Sequence, residues 1–189
     1  MASRFSRVLT CGAAAAVLAL GTLGSAMARD LVIALKTEPS SMDPQYHALT
    51  PNTQISQTIF DTLVATDAQL KPRPALAESW TVNGKVWTFK LRPGVKFSDG
   101  TPVTSADVVE SFKRAAAEGN IYASFLDFID TVEAKDDTTV SIKLKNPFSL
   151  VEKRLATVKI VPASSTKDEM TSMPIGTGPW KYESIEDSK

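Results

Sequence analysis

The side chains able to do covalent or metal chemistry are few. Cys11 is the sole cysteine and His47 the sole histidine of 189 residues. Ser–His–Asp or Cys–His catalysis would have to rest on His47 alone, and its neighbours Gln45, Tyr46 and Ala48 form no motif around it. A lone imidazole without a second ligand is no metal site. The chain has no Walker A sequence, no H-E-x-x-H and no cysteine-based zinc spacing. Gly176-x-Gly178 runs into Pro179 instead of a third glycine opening a helix, which argues against a dinucleotide site. Carboxylates are plentiful, and a pair such as Asp61 and Asp67 could serve as acid and base. Solvated charges and helix caps are the simpler account of them. Trp87 and Phe89 alternate at strand spacing and read as core, whereas Trp80 and Trp180 sit beside loops, where an indole can stack on a ligand. This inventory suits binding better than turnover, and it implies no cofactor and no metal.

The elements that must position a binding surface begin after a leader. Arg4 and Arg7 form a short positive region, an apolar stretch runs from Cys11 to Leu23, and Ala26-Met27-Ala28 supplies a small–x–small cleavage site. Residues 1–28 therefore read as a signal peptide cleaved after Ala28, which marks the protein for secretion. The stretch is shorter than the roughly 20 residues a membrane anchor needs. Cys11 opens the apolar run, whereas a lipoprotein cysteine follows it. Cleavage removes the only cysteine, so the mature chain can form no disulfide. It also removes two basic residues, leaving 19 against 21 acidic ones, a balance that speaks against nucleic acid or an anionic membrane surface as partner. No later apolar run is long enough to span a bilayer.

In the mature chain, Leu31 to Leu35 is a continuous apolar run expected to form a strand buried on both faces. The prolines and serines of residues 37–44 mark a loop. A helix should follow, with Thr50 as cap, Pro51 in its first turn, and Ile55, Ile59, Phe60, Leu63 and Val64 at helical spacing. Asn83-Gly84 predicts a type I′ hairpin turn, after which Trp87, Phe89 and Leu91 share one strand face. Thr104 and Asp107 have the spacing of a capping box, opening a helix with Val108, Val109, Phe112, Ala115 and Ala116 on one side that ends at Gly119. A second hairpin is expected from Thr131 to Lys135 and Thr139 to Leu144 about Asp136-Asp137, and a short helix over Ser149 to Ala156. Residues 174–180 read as a Gly/Pro loop entering an aromatic strand. The mixture is α/β with an antiparallel insertion.

One ordered block of motifs goes further. Pro74-Ala75-Leu76-Ala77-Glu78-Ser79-Trp80 is followed by Trp87-Thr88-Phe89-Lys90-Leu91-Arg92-Pro93-Gly94-Val95-Lys96-Phe97-Ser98-Asp99-Gly100-Thr101-Pro102-Val103-Thr104, Ala106-Asp107-Val108-Val109 and Ser111-Phe112. Pro174-Ile175-Gly176-Thr177-Gly178-Pro179-Trp180 closes the series, and Met42-Asp43-Pro44-Gln45 precedes it. The chain so resembles the family 5 extracellular solute-binding proteins, the group containing the dipeptide, oligopeptide, nickel and glutathione receptors of ABC importers.

The resemblance implies the first lobe of a type II periplasmic-binding-protein fold, carrying an antiparallel-sheet subdomain, in a protein whose cleft closes by hinge motion. On that basis residues 29–46 are the first segment of the lobe I core, 47–173 a peripheral subdomain and 174–189 the return to the core. The second lobe, with the aspartate that pairs with a peptide's amino group in relatives, is expected to lie outside these 189 residues. In relatives the loop after the first strand lines the cleft, which carries the ligand-binding role to Thr37, Glu38, Pro39 and Ser40. The Gly176-Thr177-Gly178 turn is expected near the interlobe hinge, its glycines serving backbone conformation. The implied function is capture of a peptide or similar small solute and delivery to ABC permease subunits, by a monomer that makes and breaks no bond. The alternatives are a sensory or chemotactic module on the same fold, or a carboxylate-based periplasmic enzyme.

Overall fold

The computed structural model describes residues 32–34, 37–46 and 49–184. The chain divides into a unit over Met1–Ala34 and a unit over Leu35–Lys189. In the first, the described residues 32–34 belong to no strand, and Val32 and Ile33 are 89% and 66% exposed. The expected buried strand is therefore not formed across them. An apolar run becomes a strand buried on both faces only where neighbouring strands and covering layers exist, and no described residue pairs with it.

The second unit is built on a four-stranded antiparallel sheet. Its strands are β3 (Ala77–Asn83), β4 (Val86–Leu91), β5 (Ile129–Asp136) and β6 (Thr139–Leu144), in the order β3-β4-β6-β5. Trp80 faces Phe89, which faces Val140, and Val82 faces Trp87, which faces Ile142. That register puts Trp87, Phe89 and Leu91 on one face, as their alternation requires. Phe89, Leu91, Val140, Ile142 and Leu144 are buried there, with Trp80 and Trp87 packed against them. The Trp87 and Phe89 rings lie 6.3 Å apart at 17°.

The turn between β3 and β4 differs from expectation. Asn83 is the last residue of β3, so the two central residues are Gly84 and Lys85, and only Gly84 has positive φ, at 59°. Type I′ needs positive φ at both positions, whereas glycine first is the type II′ pattern.

Helix α2 (Ser105–Ala115) covers the apolar face of the sheet with Val108, Phe112 and Ala115. Its capping box is formed: the Thr104 amide and hydroxyl donate to Asp107 Oδ2 at 2.7 and 2.8 Å. The helix stops at Ala115, before Gly119, which takes φ 82° in the following turn. Helix α3 (Val151–Leu155) lies within the stretch expected for it and buries Val151 and Leu155.

A second, smaller core surrounds helix α1 (Thr50–Ile59). Ile59, Phe60, Val161 and Met170 are buried, with Met42, Ile55 and Tyr182 packed on them. Met170 comes from helix α4 (Lys167–Ser172), whose Thr166–Glu169 capping box the sequence reading passed over. Pro51 falls in the first turn of α1 as expected, but Leu49 occupies the cap position and Thr50 makes no cap. The helix also ends four residues before Leu63. Phe60 turns to an extended conformation, and Val64 enters strand β1 (Val64–Thr66), paired with β2 (Pro72–Pro74).

What ends α1 is the return segment. The last carbonyls of a helix lack intrahelical donors. Here Gly178 N donates to the Ile59 carbonyl at 2.8 Å and Trp180 N to the Thr58 carbonyl at 3.1 Å. Residues 173–184 form no strand, so the expected aromatic strand is replaced by a cap on α1.

A candidate ligand-binding face

The loop over residues 37–46 carries Thr37, Glu38, Pro39 and Ser40 on its outer part, where Thr37, Glu38 and Ser40 are exposed and Pro39 partly buried. Its inner part is a chain of buried polar ties. Asn52, in the first turn of α1, donates Nδ2 to the Ser41 carbonyl at 2.8 Å. Its Oδ1 accepts from the Ser40 amide and hydroxyl, both at 3.4 Å. Asp43 is 2% exposed and forms an ion pair with Arg114 Nη2 near the end of α2. Its Oδ1 also accepts from the Gln45 amide at 2.9 Å, an Asx turn of the kind an Asp-Pro step favours. Gln45 Nε2 donates to the Ser111 and Lys159 carbonyls at 3.2 and 3.0 Å. A loop held at α1, at α2 and at residue 159 presents its outer backbone and hydroxyls in one arrangement, which is what polar recognition needs.

The elements it grips are themselves fixed. Ser111, fully buried, accepts from Val161 N at 2.9 Å and donates to the Asp107 carbonyl at 2.7 Å. Asp107 Oδ1 accepts from Ala163 N at 2.8 Å.

On the other side of α1, Thr177 Oγ1 donates to Asp61 Oδ2 at 3.0 Å. Lys159 Nζ donates to the Phe60 carbonyl at 3.3 Å. Burial pushes the Lys159 amine below the usual lysine range, with the Asp61 charge opposing. Gly176 and Gly178 serve clearance here: a β-carbon on Gly178 would stand 2.5 Å from the Thr58 carbonyl oxygen. Neither glycine has positive φ, which corrects the expectation that backbone conformation requires them.

The remaining chemical candidates separate. Asp61 is engaged with Thr177, while Asp67 Oδ1 caps the turn before β2 through the Gln69 and Lys71 amides. Each therefore has a structural use of its own. Trp80 packs on Phe89, and Trp180 is 53% exposed. His47 lies outside the described residues. Among the described residues no group of three His, Cys, Asp or Glu could hold a metal, and no helix is long and apolar enough to cross a membrane.

The model for bacterial extracellular solute-binding proteins, family 5 Middle, matches residues 71–189. The chain belongs to this family. A probable peptide ABC transporter periplasmic-binding protein of Sinorhizobium fredii, y4tO, is 33% identical over 94% of the chain and 35% of its own length. The glutathione-binding protein GsiB of Escherichia coli K12 is 35% identical over 82% of the chain and 32% of its own length. Among solved structures, the PBP AgaA of A. tumefacien R10, in complex with agropinic acid, aligns with a TM-score of 0.73 at 33% identity, covering 79% of this chain and 32% of AgaA. The E. coli murein tripeptide binding protein MppA aligns at 0.73 and 27%, covering 80% of this chain and 35% of MppA. The chain thus spans about a third of the length of these relatives. Its fold is that of part of a periplasmic binding protein, a mixed helix and antiparallel-sheet portion consistent with one lobe. The family's named members are solute-binding proteins.

Sequence reading did not find Asp43, Gln45, Asn52 and Arg114 as a set. Asp43-Pro44 signals a turn, but nothing local marks its partner 71 residues away.

Proposed function

We propose that the chain supplies one wall of the cleft in a periplasmic solute-binding component of an ABC importer, which captures a peptide or similar small solute and delivers it to the membrane permease. In this reading the leader is cleaved after Ala28 and the mature protein works as a monomer without turnover. Thr37, Glu38, Pro39 and Ser40 contact the ligand. The observation that carries the reading is a polar loop exposed at its outer end and locked beneath through Asn52 and Asp43. Loop hydroxyls, amides and a carboxylate held on a rigid support are what a small polar ligand's termini require. Met42 and Tyr182, from the two segments assigned to the lobe core, pack on one small cluster whose buried residues Ile59, Phe60, Val161 and Met170 come from the stretch between those segments.

The test is thermal unfolding and titration calorimetry of the full-length protein against di- and tripeptides, glutathione, opines and nickel–histidine. One class should bind saturably and raise the melting temperature, by linkage worth about 2.7 kcal/mol at a hundredfold excess over Kd. The double variant Glu38→Ala, Ser40→Ala should weaken that binding at least about tenfold, and mass spectrometry should recover the ligand intact. No binding by the wild-type protein to any class overturns the reading.

A further inference from the structure

We propose that Asp43, Arg114, Gln45 and Asn52 are positioning residues for the ligand loop, setting affinity without touching the ligand. The inference rests on the reading of residues 37–40 as the contact segment.

Within three residues the loop grips two separate elements. Asp43 pairs with Arg114, and Gln45 reaches the Ser111 carbonyl on α2 and the Lys159 carbonyl on the segment that adjoins α1. Asn52 holds Ser40 and Ser41 from α1 itself. Ser40 and Asp43 have only Ser41 and Met42 between them, so at most about 10 Å of chain joins the two anchors, and residues 37–39 lead directly into the first. Its backbone direction is thereby set by side chains that are themselves buried or partly buried.

The chemistry of the anchor favours direction over stability. A buried ion pair is a weak stabiliser, because desolvation offsets much of its Coulomb gain. Arg114 Nη1 in this pair, and Gln45 Oε1 nearby, are buried and have no hydrogen-bond partner among the described residues. Met42, one residue before Asp43, already packs against the α1 core, so an apolar side chain could have served stability alone. What hydrogen bonds add is angular definition. With the anchor intact the loop is ordered during folding; with it broken, the cost of ordering falls on ligand binding.

The test compares Kd and melting temperature in the full-length protein, with glutathione and trialanine as probes. Asp43→Asn and Arg114→Gln should each weaken binding about tenfold. The double variant should be no weaker than either single one, because both remove the same tie. Arg114→Lys, which keeps the charge, should recover part of the affinity. Val140→Ala, a core truncation in β6, should lower the melting temperature and leave Kd within twofold. Asn52→Ala leaves the ion pair in place and should also weaken binding about tenfold, which covers the case in which the Asp43 variant does not fold. If the Asp43, Arg114 and Asn52 variants melt earlier yet keep the wild-type Kd, as Val140→Ala should, positioning is overturned and ligand binding stands. If the wild-type protein binds neither probe nor any solute of the wider panel, both readings fall.

Discussion

Gly176 lies so close to helix α1 that a β-carbon on it would stand 2.0 Å from the Ile59 carbonyl oxygen and 2.8 Å from the carbonyl carbon. Backbone cannot retreat as a flexible side chain does. The same carbonyl accepts the Gly178 amide that terminates α1, and the Gly176 carbonyl accepts Ser98 N at 2.8 Å. The return segment is thus fastened at the glycine and directly after it.

Gly176→Ala should therefore destabilise the protein by about 3 kcal/mol or more, the upper end of overpacking costs. Gly94 provides the contrast. It has φ 73° and nothing near its β position, so Gly94→Ala meets only backbone strain, about 1 kcal/mol. Urea midpoints of the two variants would separate these causes. Equal losses would show that the return segment shifts to make room.

Asp136 gives the acid side of the stability curve. Its carboxylate accepts the Thr138 amide at 2.8 Å in the turn between β5 and β6, with the Thr139 and Thr138 hydroxyls adding to it. These bonds hold its pKa down to about 2, from 3.8. A carboxyl lowered on folding stabilises the protein above its unfolded pKa, and that contribution fades as pH falls through the folded value. Asp136→Asn should be less stable than wild type by a constant margin above pH 3.8, and the margin should close as pH falls to about 2. Urea titrations across that window test it. A margin that does not change with pH would mean the charge plays no part.

How much of this was legible in sequence depended on the reach of each interaction. Helix α2 was readable because Thr104, Asp107, Val108 and Phe112 are neighbours along the chain, and each determinant is local. The two hairpins were readable because alternation along β4 and β6 reports one covered face. Helix α1 overran in the reading because Leu63 and Val64 continue its apolar spacing, while its stop comes from Gly178 and Trp180, more than a hundred residues on. The apolar run that includes residues 32–34 reads as a strand because continuous apolarity suggests burial on both faces, and only neighbouring strands turn such a run into a ladder. The candidate loop entered through resemblance. Its anchors did not, since Asp43 with Arg114 and Gln45 with Ser111 leave no periodic trace. The lesson from Gly176 and Gly178 is similar: composition marks a glycine, but whether it supplies φ or clearance depends on what packs over it.

Lys159 tests the electrostatics beside the candidate face. Burial lowers its pKa from 10.5, with Asp61 only partly compensating, and its one described hydrogen bond, to the Phe60 carbonyl, is long at 3.3 Å. The charged amine is thus held where desolvation opposes it. A lysine whose pKa falls on folding binds more protons when unfolded, so stability rises with pH between its folded value and 10.5. Lys159→Met keeps the length of the side chain and removes the charge. It should raise stability at pH 7 by on the order of 1 kcal/mol, and the difference from wild type should shrink as pH climbs toward 10.5. Chemical denaturation at neutral and alkaline pH reads both effects. A loss of stability at pH 7 would mean that the tie to Phe60 and the attraction of Asp61 together outweigh the burial of the charge.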